Sequence, residues 1–307
     1  MRCDILFIDR NILAVKTLEI LKNTIEIPIQ NLAGYTGVSI DELNSVLKEL
    51  AKYYFIEFSN NRVSWSRADN PSLIKPWGWN IVHEIILGST QEYIRGCSLW
   101  TVVVAELQIY GRGRHGKKWY SNLGGLWCSF RLTIRSDNIN YLPLAVPLII
   151  VNILNRYYGI NALIKWPNDI IYGNKKLAGL IIEAEALHNM FIANIGIGFN
   201  VNNNPPIPGS ISLRNIVGYK IPRNGLLSQL IGWIGRLEKL LIEPRKLVDE
   251  YLAKLSTLNR MVQVKTSSGT IIGRAVNVNE YGELVMRVNG EEKIFTADEV
   301  IELRHID

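Results

Sequence analysis

The sequence predicts an α+β protein in three parts, and three observations carry that prediction. Residues 14–65 run helix, helix, turn, helix, hairpin. Residues 101–201 carry β-branched strands around one strongly apolar helix. Everything after Leu258 reads as short strands separated by glycine-containing turns. The length of 307 residues allows two or three domains and at least one sizeable core.

The first part is read from periodicity and caps. In AVKTLEILKN (14–23), Val15, Leu18 and Leu21 fall on one helical face. Pro28 stands where a helix can begin, with Ile29, Leu32 and Ala33 continuing an apolar stripe. GYTGVS (34–39) is a turn that ends on Ser39, an N-cap with Glu42 three residues later in a capping-box pattern. Ile40, Leu43, Val46, Leu47 and Leu50 then face a core, and FIEFSNNRVSW (55–65) alternates about a Ser-Asn-Asn turn. That order is the order of a winged helix-turn-helix, expected over 1–66. Polar residues make 67–76 the expected linker.

A mixed α/β part is expected over 77–257. TVVVAEL (101–107) and LWCSFRLTI (126–134) read as buried strands. NALIKWPNDIIYG (161–173), LAGLIIEAEA (177–186) and MFIANIGIGFNV (190–201) follow as strands with turns between them. Residues 226–257 read as amphipathic helix interrupted at Pro244. From 258 to 307, turns at Ser268-Gly269, Tyr281-Gly282 and Asn289-Gly290 separate short strands, the last a hairpin signal. About fifty such residues predict a small SH3-like β-barrel.

Composition excludes several classes. With 48% hydrophobic and 20% charged residues the chain is globular rather than disordered. The longest apolar candidate, Leu142–Leu154, carries Pro143, Pro147 and Asn152 and reads as a buried helix rather than a membrane span. Asp4, Asp9 and Arg10 interrupt any signal-peptide core. Cys3, Cys97 and Cys128 are too scattered for a disulfide framework or zinc site, so a cytoplasmic protein is expected. His83, His115, His188 and His305 form no metal-ligand spacing. The net charge is +6, yet residues 1–66 hold seven Lys/Arg against eight Asp/Glu, so the positive excess lies downstream.

Much of that excess sits in one loop. AELQIYGRGRHGKKW (105–119) leaves a strand and places Gly111, Gly113 and Gly116 among Arg112, Arg114, Lys117 and Lys118. Glycine lets backbone approach a ligand closely, and arginine offers a planar fork for carboxylate or phosphate. A solvated basic loop is the plain alternative. The glycines also match G-x-G-x-x-G, but that dinucleotide fingerprint needs a helix opening at the third glycine, and KKWYSNLGGLW reads as loop and then strand. A second element, IKWPNDIIYGNKKLAG (164–179), brings Lys165, Asn168, Asp169, Lys176 and Gly179. Alone, KWPND could be a capped turn and Lys176 a solvated hairpin lysine.

In combination, GRGRxGxxW, KWPND and KLAG, about 50 and then 10 residues apart, resemble the biotin protein ligases, some of which double as biotin-operon repressors. GSTQ (88–91) is similar to the family's S-T-N, GIGFN (196–200) to its G-x-G-x-N and ADEVIELR (297–304) to its closing segment. The resemblance implies a mixed α/β catalytic domain of the biotin/lipoate ligase type. It implies ATP and biotin as substrates, with Mg2+ accompanying ATP, and a biotin carboxyl carrier protein or domain as acceptor. It also implies a homodimer. By the same resemblance, Ser89, Thr90, Gln91, Gln108, Gly111 and Gly179 belong to the biotin side. Trp119, Lys165, Asn168 and Asn200 belong to the ATP and adenylate side. Arg112, Arg114 and Lys176 serve both, and Asp169 orients or deprotonates the acceptor lysine. Three departures stand out: Gln91 replaces the usual Asn, His115 and Lys117 stand where arginines are common, and Leu107-Gln108-Ile109-Tyr110 is bulkier than usual.

Operator DNA stays open. Asn44, Ser45, Lys48, Lys52 and Arg62 are the candidate contacts, but Asp41, Glu42 and Glu49 share the same helix. A ligand-sensing transcription regulator without catalysis is the alternative function, and a dinucleotide-binding oxidoreductase comes third.

Overall fold

A computed structural model describes residues 2–306, with side chains described from residue 12. The charges at Asp4, Asp9 and Arg10 and the Cys3 thiol therefore lie outside the described side chains.

The N-terminal part begins with α1 (Arg2–Lys22), β1 (Ile27–Pro28), α2 (Ile29–Thr36) and α3 (Ile40–Leu50), and ends in the hairpin of β2 (Ile56–Ser59) and β3 (Arg62–Trp65). Ser39 caps α3 by accepting from the Glu42 amide at 3.2 Å, as its spacing predicts. Asn60 and Asn61, both at positive φ, turn the hairpin, and β1 adds to its far edge to give the order β1-β3-β2. Leu18, Leu21, Leu32, Leu43, Leu47 and Trp65 are the centre of a separate hydrophobic core.

The middle is built on one seven-stranded sheet. Its members are β4 (Asn80–Leu87), β5 (Thr101–Gln108), β6 (Leu126–Arg135), β7 (Leu163–Lys165), β8 (Asp169–Tyr172), β9 (Lys175–Leu187) and β10 (Met190–Phe199). The order is β4-β5-β6-β10-β9-β8-β7, and only β4 and β5 run parallel. The short α4 (Thr90–Tyr93) lies in their crossover, and α5 (Leu142–Tyr158) packs across the sheet. Residues 136–158 are long and apolar enough by composition to cross a membrane, because a 3-10 turn at Ser136–Tyr141 extends the helix beyond the run read from sequence. In the fold Leu144, Val146, Ile150 and Leu154 of α5 are fully buried in the protein core.

A short α6 (Leu213–Val217) precedes the stretch expected as helix, and where the sequence suggested helix with one break at Pro244 the chain forms α7 (Arg223–Ile234), α8 (Leu237–Leu240) and α9 (Pro244–Lys254). A second break falls at Gly235, whose missing side chain leaves room for Trp79; an added Cβ would lie 3.0 Å from its indole nitrogen. The C-terminal part is a β-rich unit of β11 (Met261–Thr266), β12 (Gly269–Val278), β13 (Leu284–Val288), β14 (Glu291–Phe295) and β15 (Glu302–His305). Its order is β14-β13-β12-β11-β15, and the two edge strands do not pair with each other, so the expected closure into a barrel is not seen in the hydrogen bonding. Val262, Val264, Ala275 and Met286 join the main hydrophobic core instead of forming their own.

The stretch expected as a polar linker is tightly held. Asp69 is fully buried and pairs with Arg223 at 2.9 Å; the same guanidinium reaches Glu106 of β5 at 2.5 Å, and His83 completes the cluster on Glu106 at 2.8 Å. The Arg223 guanidinium also lies over the rings of Tyr54 and Trp65, at 4.7 and 5.8 Å. A charge removed from water survives only when paired this fully.

Candidate active site

Segments scattered over the chain meet in one cleft of about 300 Å3 beside Gln108, the last residue of β5. Ser89, Thr90 and Gln91 come from the start of α4, Arg112, Arg114 and Trp119 from the glycine loop, and Lys165, Asn168 and Asp169 from the β7–β8 turn. Lys176 and Gly179 come from β9. No helix opens after Gly116. The loop folds back on itself, with Gly113 N–H donating to Lys117 O at 2.7 Å and Trp119 N–H to Gly111 O at 2.8 Å. The geometry a dinucleotide fingerprint requires is therefore absent.

Charge defines one half of the cleft. Six cations line it (Arg112, Arg114, Lys117, Lys118, Lys165 and Lys176) against two carboxylates, Asp169 and Glu302, an excess that suits an anionic ligand. Lys176 Nζ lies 2.7 Å from Asp169 and 4.9 Å from the centre of the Trp119 ring. Burial lowers the pKa of Lys165, with Asp169 pulling the other way and Lys176 adding to the decrease. Arg112 holds Glu92 at 2.7 Å near the rim. Arg114 is more enclosed, and burial lowers its pKa against the attraction of Asp298 and Asp169.

The other half is polar but uncharged. Gln108 Oε1 accepts from the Thr90 amide at 2.8 Å, and its Nε2 donates to Ser121 at 2.6 Å. Gln91 donates to Glu183 and to Asn194 O at 3.1 and 3.0 Å. Both amides are thus engaged with protein groups. Ser89 Oγ, by contrast, is buried in the cleft wall without a partner, and so is Trp119 Nε1. A buried unpaired hydroxyl costs about 1–3 kcal/mol, which a ligand's polar group would recover. The floor beneath Trp119 is glycine. An added Cβ would come within 2.8 Å of the indole at Gly179 and within 2.5 Å of it at Gly198, so no side chain fits under the ring.

Two expected site residues lie outside the cleft lining. Gly111 is a packing position, where a Cβ would sit 2.8 Å from Ser121 Oγ and collide with Trp119 O. Asn200 is buried, accepts from Asn203 Nδ2 at 2.9 Å and accepts from Leu213 N–H through its carbonyl at 3.0 Å, so it ties down the end of β10. Sequence reasoning missed Ser129, whose hydroxyl lies 3.0 Å from both Thr90 Oγ1 and Gln91 Oε1, and gave no site role to the lining glycines Gly196 and Gly198 of the GIGFN motif. The signal for Ser129 was a hydroxyl amid the apolar run LWCSFRL. In the N-terminal part, Asn44, Ser45 and Lys48 lie on α3; Lys52 pairs with Glu49 at 2.5 Å and Arg62 with Glu26 at 2.9 Å.

Residues 92–200 match the model of the Biotin/lipoate A/B protein ligase family. A "Bifunctional ligase/repressor BirA" of Bacillus subtilis is 31% identical over 242 residues, covering 72% of this chain and 74% of that one. A biotin–[acetyl-CoA-carboxylase] ligase of Mycobacterium tuberculosis is 28% identical over 66% of this chain and 79% of its own. Among solved structures, a biotin protein ligase from Aquifex aeolicus in complex with biotin and ATP superposes with a TM-score of 0.64 at 29% identity, over 74% of this chain and 99% of that one.

Proposed function

This chain belongs to the biotin/lipoate A/B protein ligase family, and on that premise we propose that it activates biotin with ATP and transfers it to a lysine of a biotin carboxyl carrier domain. The observation that carries the reading is the divided cleft: six cations on one side, an unpartnered buried hydroxyl and a glycine floor on the other. A carboxylate and a triphosphate repel each other, and bringing them together needs fixed positive charge at both.

In this reading a biotin carboxylate oxygen attacks the α-phosphorus, the bond to the β-phosphate oxygen breaks, and pyrophosphate leaves. Arg112 and Arg114 clamp the anions, and Lys176 lies against the α-phosphate as its charge develops. Ser89 donates to the ring system of biotin; Thr90, Gln91 and Gln108 build the wall around it, with Ser129 as their brace. Trp119, beside Lys165 and Asn168, supplies the aromatic face for adenine, and Gly179 makes room for its ring on the cleft floor. Mg2+ accompanies ATP and shields the phosphates. The acceptor amine then attacks the acyl carbon, AMP leaves, and Asp169 takes the amine proton once Lys176 has turned to phosphate. Asn200, just past the end of β10, belongs to the nucleotide side in this reading, with its side-chain oxygen braced by Asn203. Labelled-biotin transfer to a carrier domain tests the reading; no incorporation with ATP and Mg2+ present would refute it.

The same reading divides the chain into a winged helix-turn-helix over 1–66, a linker over 67–76, a catalytic domain over 77–257 and an SH3-like domain over 258–307, working as a cytoplasmic homodimer. The repressor named in the Bacillus subtilis relative makes operator binding a second activity to test. Ion pairing of Lys52 and Arg62 within their own module argues for weak phosphate contact. Mobility of upstream DNA that stays unchanged at low salt, with biotin and ATP, would exclude it.

A further inference from the structure

We propose that His115 and Lys117 are positioning residues, which dock the glycine loop onto backbone carbonyls of the C-terminal β-rich unit and so keep it closed before substrate arrives. This rests on the ligase reading for its effect on catalysis. The contacts are specific. His115 Nε2 lies 2.9 Å from Val300 O and Lys117 Nζ 3.0 Å from Ile301 O. Arg114 donates to Ala297 O and lies 3.3 Å from Val300 O. Donors from residues 114–117 thus meet acceptors from residues 297–301, across more than 180 positions of chain.

Both sides of this contact are pre-arranged. Thr296 and Glu299 cap each other, with the Thr296 amide and hydroxyl both 2.9 Å from Glu299 Oε2, and Ile301 N–H donates to Lys265 O of β11 at 2.8 Å. The carbonyl acceptors therefore sit on a held turn. On the loop side, His115 adopts φ 52°, a left-handed conformation that disfavours a side chain and that its bond to Val300 helps to hold. Neutral carbonyls are also apt partners for the His115 ring N–H and the Lys117 ammonium. They satisfy the donors without neutralising the charge that faces the cleft.

The contact has consequences for the reaction. A loop docked at its tip leaves Arg112 and Arg114 placed for anions at little ordering cost, and shields a mixed anhydride from water. Its loss should weaken ATP binding and let the adenylate escape, while leaving the chemical step intact.

The test uses the full chain and the variants His115→Asn, which tolerates positive φ but does not reach Val300, Lys117→Met, and Lys117→Arg as rescue. Hydrogen exchange at the Gly113, Lys117 and Trp119 amides in the substrate-free protein should quicken about tenfold in the first two and recover in the third. In His115→Asn, which leaves all six cleft cations in place, the ATP KM should rise about tenfold and adenylate retention fall similarly, with the saturating rate of adenylate formation within about threefold of wild type. Unchanged exchange in both variants, or a fall in kcat at constant KM, overturns the proposal. A wild-type chain that forms no adenylate overturns the ligase reading and the catalytic half of this one; exchange still decides the docking contact by itself.

Discussion

Two arginine-centred clusters flank the same strand, and they are held in opposite ways. Around Arg223, two carboxylates, a histidine and two aromatic rings enclose a guanidinium that has no exposed surface. At the glycine loop, which follows β5 directly, Arg112 is 42% exposed and pairs with one half-exposed acid, and its neighbours rest on carbonyls. Glu106 belongs to the first cluster and Gln108, two residues on along β5, to the cleft. The buried cluster satisfies every charge within the protein, so it can fix the N-terminal module to the sheet but has nothing left for a ligand. Apart from Arg112, the loop keeps its cations out of ion pairs, which is what an anion site requires.

That contrast can be broken most severely at Arg223. Arg223→Met leaves Asp69 and Glu106 buried without a counter-ion and should lower stability by about 3–5 kcal/mol, read by denaturant unfolding. Lys176→Met should do the reverse: adenylate formation falls by about 10²–10³-fold while the unfolding midpoint barely moves. Acid separates the clusters next. Burial alone would raise the Glu106 pKa, but Arg223 and His83 outweigh it and bring it from 4.5 to about 2. A depressed folded-state pKa means the stabilisation is complete above 4.5 and is lost as pH falls through about 2. Glu106→Gln should remove that part of the acid sensitivity. The smallest effect is expected at Ser89: Ser89→Ala should raise the biotin KM about tenfold with kcat little changed, and an unchanged KM would remove this hydroxyl from the biotin side.

Local patterns were largely legible before any coordinates. The Ser39 cap, the Asn-Asn hairpin, the β-branched strand 101–107 and the buried helix around 142–154 all follow from spacing and residue type, because each depends on neighbours a few positions away. The cleft was legible as well, since GRGRHGKKW, KWPND and KLAG carry dense chemistry in short segments that converge on it. Long-range partners were not. Nothing near Asp69 signals Arg223, 154 positions away, and a run of polar residues looks the same whether it is solvated or buried in ion pairs. Nor does the motif around Asn200 signal that its side-chain oxygen accepts from Asn203.

The sequence alone therefore determined the element types, the chemical character of the glycine loop and the family it resembles. Tertiary structure decided which charges are neutralised internally and which stay available. It also decided that His115 and Lys117, departures by residue type, have partners on a turn more than 180 residues away. The reason is physical: propensity and pattern act along the chain, whereas the fate of a charge depends on what the fold brings within about 4 Å of it.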